Sequence, residues 1–167
     1  METLMSAVIG ALSGKASREM IVFIISMIPI LELRGALLVA GPVLGVPVAK
    51  AIPLCVLGNI IPVPFILLLI ERVLNVMEGI PGLGKVAVWI RQKADKNKGQ
   101  IEKFGFWGLV LFVGIPLPGT GAWTGSLVAA LLHMKFGKAI GAILCGIVMA
   151  TVIMSLLSYG LLGALFA

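Results

Sequence analysis

Glu32 and Arg34 are the residues of this 167-residue chain whose types and surroundings most directly suggest chemistry. They lie in an apolar stretch, between Pro29 and Gly35. Charged side chains are costly at membrane depth, so such a pair predicts a functional site. Desolvation favours a protonated carboxyl group, whereas a neighbouring arginine favours the charged one. We therefore predict that Glu32 gains and loses a proton and that Arg34 is its charge partner or an anion clamp.

A permanent ion pair that only stiffens the chain is the alternative interpretation of Glu32 and Arg34. Residues two apart lie on nearly opposite faces of a helix. The two side chains can share one cavity only where the backbone is broken, and Pro29 and Gly35 favour a break. We favour the functional interpretation.

A second candidate site, without charge, lies within residues 116–126. Its prolines and glycines would free backbone amides, and amides at the start of a helix suit an anion. The small residues there equally suit close helix packing. Asn59, in another apolar run, is predicted to support the site through a hydrogen bond to a neighbouring helix. The predicted binding residues of the second site are Pro116, Pro118, Gly119, Thr120, Trp123 and Thr124.

Other chemistry is not predicted. The sequence offers no nucleophile beside a base, no paired carboxylates and no Walker-type glycine loop. His133 has no second metal ligand in view, and Cys55 and Cys145 lie in apolar runs, which predicts buried thiols. We expect neither an enzyme, nor a cofactor, nor a metal centre.

Composition predicts that the elements around these residues are embedded in a membrane. The chain is 60% hydrophobic and 12% charged, with a mean hydropathy of +1.15, whereas about a quarter of residues are charged in soluble domains. Three uncharged runs reach the ~20 residues needed to cross the hydrocarbon, and two shorter runs suit half-helices. The long runs are 51–70, 104–132 and 139–167, and the short ones are 20–31 and 35–49.

Basic residues concentrate between two of the long apolar runs. Positive charge beside membrane segments favours the cytoplasmic side, so residues 72–103 are predicted to form an amphipathic cytoplasmic connector. The cluster is short and has few aromatic residues near it, so nucleic-acid binding is not expected. Its basic residues are Arg72, Lys85, Arg91, Lys93, Lys96, Lys98 and Lys103.

The two sides of the connector resemble each other. Residues 28–30 match 115–117, and the spacing from Lys50 to Gly58 matches that from Lys138 to Gly146, with one gap between the two matches. A backbone break in lipid must be buried in protein or line a wet cavity, so each break predicts a re-entrant hairpin. A single span separates the hairpins, so they enter from opposite faces, as in secondary transporters. Ordinary spans kinked by proline are the alternative.

The predicted fold is an all-α integral membrane protein with a single membrane domain over residues 1–167. It consists of two inverted repeats, each a re-entrant helical hairpin plus a transmembrane helix, joined by the connector. Because the breaks of so small a bundle need shielding from lipid, we expect a homodimer. The predicted segments are an interfacial helix at 1–18, a first repeat at 19–71, the connector at 72–103 and a second repeat at 104–167.

Three motifs carry a family resemblance: IPILELRGA at 28–36, GNIIPVPF at 58–65 and IPLPGTGAWTG at 115–125. In combination they closely resemble the putative small multidrug export protein family of bacteria and archaea, which is itself similar to the DedA superfamily. The resemblance implies a multi-pass transporter of a prokaryotic inner membrane with two opposed re-entrant hairpins. It supports Glu32 and Arg34 at the first hairpin and Pro116, Pro118, Gly119 and Thr120 at the second. DedA flippases carry arginines around the second proline motif, whereas residues 104–132 have none.

The predicted function is proton-coupled export or flipping of a small amphipathic or lipid-linked substrate through a midplane site between the hairpins. Membrane lipid, that substrate and a second copy of the chain are the expected partners. The competing hypothesis is a non-transporting membrane scaffold or assembly factor in which Glu32 and Arg34 form a structural ion pair.

Overall fold

The helices of the protein follow one another with short connections. The computed structural model describes residues 2–14, 16–117 and 119–161, and over these ranges the chain is helical and contains no strand, which confirms the all-α prediction. The helices are α1 Glu2–Leu12, α2 Arg18–Met27, α3 Glu32–Ala40, α4 Val48–Ile60, α5 Pro62–Glu78, α6 Gly84–Gly114, α7 Ala122–Leu131 and α8 Phe136–Ser155, which continues as a π-helical segment, Leu156–Leu161.

Two stretches of the described chain are long and apolar enough to cross a membrane. They are Val48–Glu78, with 31 residues, and Phe136–Gly160, with 25 residues. At 1.5 Å per residue even the shorter one extends about 38 Å, which exceeds the ~30 Å hydrocarbon thickness. The longer one comprises α4 and α5, which meet at Ile61 without a loop. Both stretches suit a membrane protein.

Two breaks interrupt the remaining apolar sequence, at residues 28–31 and 115–121. Ile28 and Ile115 leave their helices in the extended conformation, with φ/ψ of −73°/129° and −78°/124°. A proline follows each of them, and proline disfavours the helical conformation in the residue before it. The helices on the two sides of each break pack against each other. Each proline motif therefore ends a helix rather than kinking it.

Helix α6 consists of two sections that differ in character. Gly105 has φ 54° and ψ −121°, so it separates a polar first section, 84–104, from an apolar second section, 106–114. The first section is joined to α5 by the turn 79–83. The predicted connector at 72–103 is thus built from the end of α5, this turn and the first section of α6.

Arg91 holds the start of α6 to the end of α5. Its Nε donates to Oε1 of Glu78 at 2.7 Å, and its Nη2 donates to Oδ1 of Asn75 at 2.7 Å. These bonds fix how the two helices leave the turn at 79–83.

Helices α4 and α8 cross their neighbours in the same way. Gly58 lies ten residues after the start of α4 and Gly146 ten residues after the start of α8. A Cβ at Gly58 would fall on Ser26 of α2, and a Cβ at Gly146 would lie 2.6 Å from Cβ of Val113 in the second section of α6. Glycine lets helix backbones approach closely. The repeated lysine-to-glycine spacing in the sequence thus corresponds to a repeated packing arrangement.

Adding one methyl group at the α6–α8 crossing should destabilise the protein. In Gly146→Ala the new Cβ would also lie 2.9 Å from the Val110 carbonyl oxygen, which cannot move aside without shifting α6. Overpacking costs about 1–3 kcal/mol, and about 1 kcal/mol returns from helix propensity, so the net cost reaches about 2 kcal/mol. We expect the midpoint of thermal unfolding in mild detergent to fall by up to about 8 °C.

Gly141→Ala is the matched control for this prediction. It lies in the same helix, and its Cβ would make an ordinary contact with Phe106 at 3.6 Å. Its midpoint should stay at or above that of the wild type. Equal midpoints for the two variants would contradict the close crossing at Gly146.

Candidate functional site

Glu32 is placed by an unusual stretch of backbone. It is the first residue of α3, with φ 49°, and Ile30, two residues before it, has φ 79°. Positive φ is uncommon for residues other than glycine and costs on the order of 1–3 kcal/mol each, so the surrounding packing must hold these conformations. Such outliers mark this short break as a place to look for function.

The Glu32 carboxylate caps a helix that belongs to the other half of the chain. Oε1 accepts from the backbone N–H of Trp123 at 2.9 Å, and Oε2 accepts from that of Ala122 at 3.2 Å. These are the first two residues of α7. The first N–H groups of a helix have no partner within it and carry a partial positive charge, which a carboxylate satisfies. Glu32 itself is only 5% exposed.

Gly121 makes room for this cap. It is the residue before α7, with φ 135°, a conformation that L side chains rarely adopt. A Cβ at this position would also fall on the Glu32 carboxylate. Glycine is required here for both backbone conformation and space.

The Arg34 guanidinium caps the end of the helix before the same break. Nη1 donates to the carbonyl oxygens of Leu117 and Thr120, at 2.9 and 3.0 Å, and to Oγ1 of Thr120 at 3.0 Å. Nη2 donates to the carbonyl oxygens of Val113 and Ile115, at 2.9 and 3.1 Å. The last carbonyls of a helix lack partners and carry a partial negative charge, so a cation is favourable there. The planar fork of arginine suits several acceptors at once.

The two charged residues both bind the second break and do not form a direct ion pair with each other. Within the described ranges no ion pair joins Glu32 to Arg34. One caps the positive start of α7 and the other the negative end of α6. The local ion pair considered as an alternative is therefore not the arrangement seen.

A cavity of about 730 Å³ lies between the two breaks. Its volume falls within the range of small-molecule sites, about 300–1,000 Å³. Seven of the predicted site residues line it, and most of the remaining wall is aliphatic. The seven are Glu32, Arg34, Pro116, Gly119, Thr120, Trp123 and Thr124.

One residue of the cavity wall carries a buried donor without a partner. The side chain of Trp123 lines the cavity, but its indole N–H is buried and has no hydrogen-bond partner among the described residues. A buried polar group without a partner costs roughly 1–3 kcal/mol.

One predicted site residue of the described chain does not line the cavity. Asn59 is 3% exposed in α4 and does not line it, and its Oδ1 has no partner among the described residues. Pro118 lies outside the described residues.

Sequence reasoning missed the outer wall of the cavity. Ile66 and Ile70 of α5, Trp89 and Ile90 of α6 and Met154 of α8 contribute to it. The aliphatic residues carry no signal beyond their hydrophobicity, and Trp89 lies in the stretch predicted as a surface connector.

The remaining candidates for chemistry lie elsewhere. Nε2 of His133 lies 3.2 Å from Oε1 of Glu71 at an exposed position, and the described residues hold no group of three metal-ligating side chains. Cys55 is buried as expected, whereas Cys145 is exposed on α8, so that part of the thiol prediction is wrong.

The comparison with known families agrees with this geometry. The family described as "Putative small multi-drug export protein" matches residues 32–153, nearly three quarters of the chain, a range that includes both Glu32 and the second break. The chain belongs to this family. The family name indicates an export protein of the membrane, which fits the two stretches that are long and apolar enough to cross one. No curated protein and no solved structure matches the chain.

Removing the charge of Glu32 should loosen the start of α7. In Glu32→Gln one side-chain oxygen becomes an NH₂ donor that faces a backbone N–H, so charge-assisted bonds worth about 1.5–3 kcal/mol are lost. We expect faster amide hydrogen exchange at residues 122–125 and a lower free energy of unfolding. Glu19→Gln is the control, because Glu19 makes only an exposed ion pair with Lys50 at 3.4 Å, which is worth less than about 1 kcal/mol. Unchanged exchange at 122–125 would contradict the cap.

Shortening the fork of Arg34 should open the end of α6. A lysine ammonium cannot reach both the carbonyl of Val113 in α6 and that of Thr120 in the break, so Arg34→Lys should leave at least two of the bound carbonyls without a partner, at about 1–3 kcal/mol each. The matched control is Arg18→Lys, because Arg18 makes a single long bond to the Leu44 carbonyl oxygen at 3.4 Å. Thermal unfolding should separate the two variants clearly. Similar midpoints would mean that the Arg34 bonds contribute little.

Proposed function

We propose that the protein exports or flips a small amphipathic molecule through the cavity between the two breaks, coupled to a proton on Glu32. The observation that carries the proposal is the Glu32 carboxylate, which lines the cavity and at the same time holds the first turn of α7. A change in its charge alters both the cavity and the helix that bounds it.

The composition of the wall supports an amphipathic substrate. Aliphatic side chains such as Leu38, Ile66 and Leu127 would contact an apolar body. The polar groups of the wall lie at the second break and at the starts of the helices that follow the two breaks, so this end of the cavity would bind a polar head. A lipid-linked molecule and a free amphiphile share this chemistry.

The charge of the cavity supports an anionic head. Glu32 and Arg34 are the ionisable residues among those that line it. Their formal charges sum to zero when Glu32 is ionised and to +1 when it is protonated. Arg34 also brings a guanidinium to the second break, within the run 104–132, which has no arginine of its own. Protonation of Glu32 and binding of an anion therefore favour each other.

The proton would act through the cap on α7. A protonated carboxyl group accepts hydrogen bonds more weakly than a carboxylate, because the charge assistance is lost. The amides of Ala122 and Trp123 would then be free to move away from α3 or to bind the anionic head. Loss of the proton would restore the cap and return the cavity to zero charge.

The transport cycle that we propose needs two hairpins that enter the membrane from opposite faces. Helices α2 and α3 have 10 and 9 residues, about 15 and 14 Å, so each reaches about half of the hydrocarbon thickness. The repeated glycine crossings of α4 and α8 support an inverted repeat. In such a repeat one half rocks against the other around the central site. The cytoplasmic connector and the homodimer remain predictions.

A scaffold is the second candidate function. Both carboxylate oxygens of Glu32 and both terminal nitrogens of Arg34 already bind the backbone. Such saturated contacts also suit a permanent structural role.

Proton uptake on ligand binding distinguishes transport from the scaffold. We would add decanesulfonate to the protein in lipid nanodiscs, in weakly buffered solution, and subtract the signal of empty nanodiscs. The sulfonate has a fixed charge, so a proton taken up must go to the protein. We expect uptake of about one proton per protein, with binding that is stronger at low pH than at high pH.

Two controls test the assignment. Decyltrimethylammonium, with the same chain length and the opposite charge, should cause no proton uptake. Glu32→Gln should abolish the uptake, whereas Glu71→Gln, on the exposed pair with His133, should retain it. Uptake that persists in Glu32→Gln would remove Glu32 as the proton site. Absence of any binding or uptake would favour the scaffold.

A further inference from the structure

The first section of α6, residues 84–104, has two opposite faces. Ala87, Ala94 and Ile101 are seven residues apart and buried, with exposed fractions of 0%, 2% and 1%. Successive residues of a helix are rotated by about 100°, so these three form one narrow seam. The seam packs into the body of the protein.

Three lysines form a stripe on the other side of the same section. Lys85, Lys96 and Lys103 are all exposed. Helical rotation places them within about 20° of one another and about 180° from the buried seam. We call this the lysine face.

The charge of this section is strongly positive. Residues 84–104 hold six basic and two acidic residues, a net charge of +4, against +6 for the whole chain. The basic residues are Lys85, Arg91, Lys93, Lys96, Lys98 and Lys103, and the acidic ones are Asp95 and Glu102. Arg91 is engaged with Glu78, so the lysine face carries much of the available charge.

The ends of the section lie where membrane segments end. It follows α5, the last part of the stretch Val48–Glu78, and it precedes the apolar second section of α6. With 21 residues it is about 31 Å long, and both of its ends would be at the same membrane surface. A helix tied down at both ends runs along that surface. Phe104 and Trp107, at its end, are 57% and 67% exposed, as is typical of aromatic residues at the headgroup level.

We propose that the lysine face binds anionic phospholipid headgroups and thereby holds one wall of the cavity in place. Trp89 and Ile90 belong to the same helical section and line the cavity. Lysines keep their aliphatic stems on the helix while their ammonium groups reach the headgroups. Gly105 and Gly82, both with positive φ, bound the section. The surface charge of the membrane thus sets the position of Trp89 and Ile90.

Native mass spectrometry of the protein released from mixed nanodiscs tests the binding. The lipid is phosphatidylcholine with about 30% phosphatidylglycerol, an anionic composition of the kind that attracts basic helices. Wild type should retain phosphatidylglycerol in preference to phosphatidylcholine. Each lysine near an anionic surface contributes about fivefold to binding, so Lys85→Gln/Lys96→Gln/Lys103→Gln should lower the preference at least tenfold.

The matched control removes the same charge elsewhere. Lys50→Gln/Lys135→Gln/Lys138→Gln also lowers the net charge by three, at exposed positions outside α6, and should keep the preference. Equal retention in wild type and the lysine-face variant would overturn the proposal, as would equal loss in both variants. Stronger capture of a soluble poly-glutamate peptide than of phosphatidylglycerol by the same face would overturn it in favour of a protein partner.

Hydrogen exchange tests the link to the cavity wall. Adding phosphatidylglycerol to phosphatidylcholine nanodiscs should slow exchange over residues 84–104 in wild type and control at least threefold, and not in the lysine-face variant. Unchanged exchange in wild type would overturn the link. These measurements use neither substrate nor transport, so they are independent of the outcome for Glu32.

Discussion

Unpaired backbone groups at a helix break are the constraint on which the rest of this structure depends. The break at residues 115–121 leaves the carbonyls at the end of α6 and the amides at the start of α7 without partners in their own helices. Lipid offers none, so protein must supply them. Glu32 and Arg34 do so from the other half of the chain, one for each end of the break. Gly121 lies close to the Glu32 carboxylate because that carboxylate must reach the amides at the start of α7.

The two halves of the chain are built in a similar way but contribute different groups to the site. Both have a short helical section, a break that begins with an isoleucine-proline pair, a second short helix and a further helix with a glycine crossing. Among the described residues, the first half contributes the charges of the site and the second half contributes the backbone groups that they bind. Two halves of similar build can carry one site when one supplies side chains and the other supplies the groups that they bind.

The sequence predicted the breaks and most of the site for specific physical reasons. Proline disfavours the helical conformation in the residue before it, and charged residues are rare in apolar segments unless they have a function, so the motifs at residues 28–36 and 115–125 could be recognised directly. The partners of Glu32 and Arg34 could not, because they are backbone groups that any sequence presents. The outer wall was missed for a related reason. Ile66 and Met154 differ in no way from lipid-facing residues until the helices are packed.

Glu32 and Arg34 lie two residues apart in the first turn of one short helix, and this spacing has a mechanical consequence. A rotation of α3 about its axis, or a slide along it, moves both side chains together. Such a movement therefore cannot break the hydrogen bonds at one end of the break at residues 115–121 and leave those at the other end unchanged. Small displacements of α3 strain five or more hydrogen bonds at once, and packed interfaces of this kind are bistable rather than continuously deformable. The geometry thus couples the two ends of the break, so that a displacement of α3 changes the hydrogen bonds at both of them.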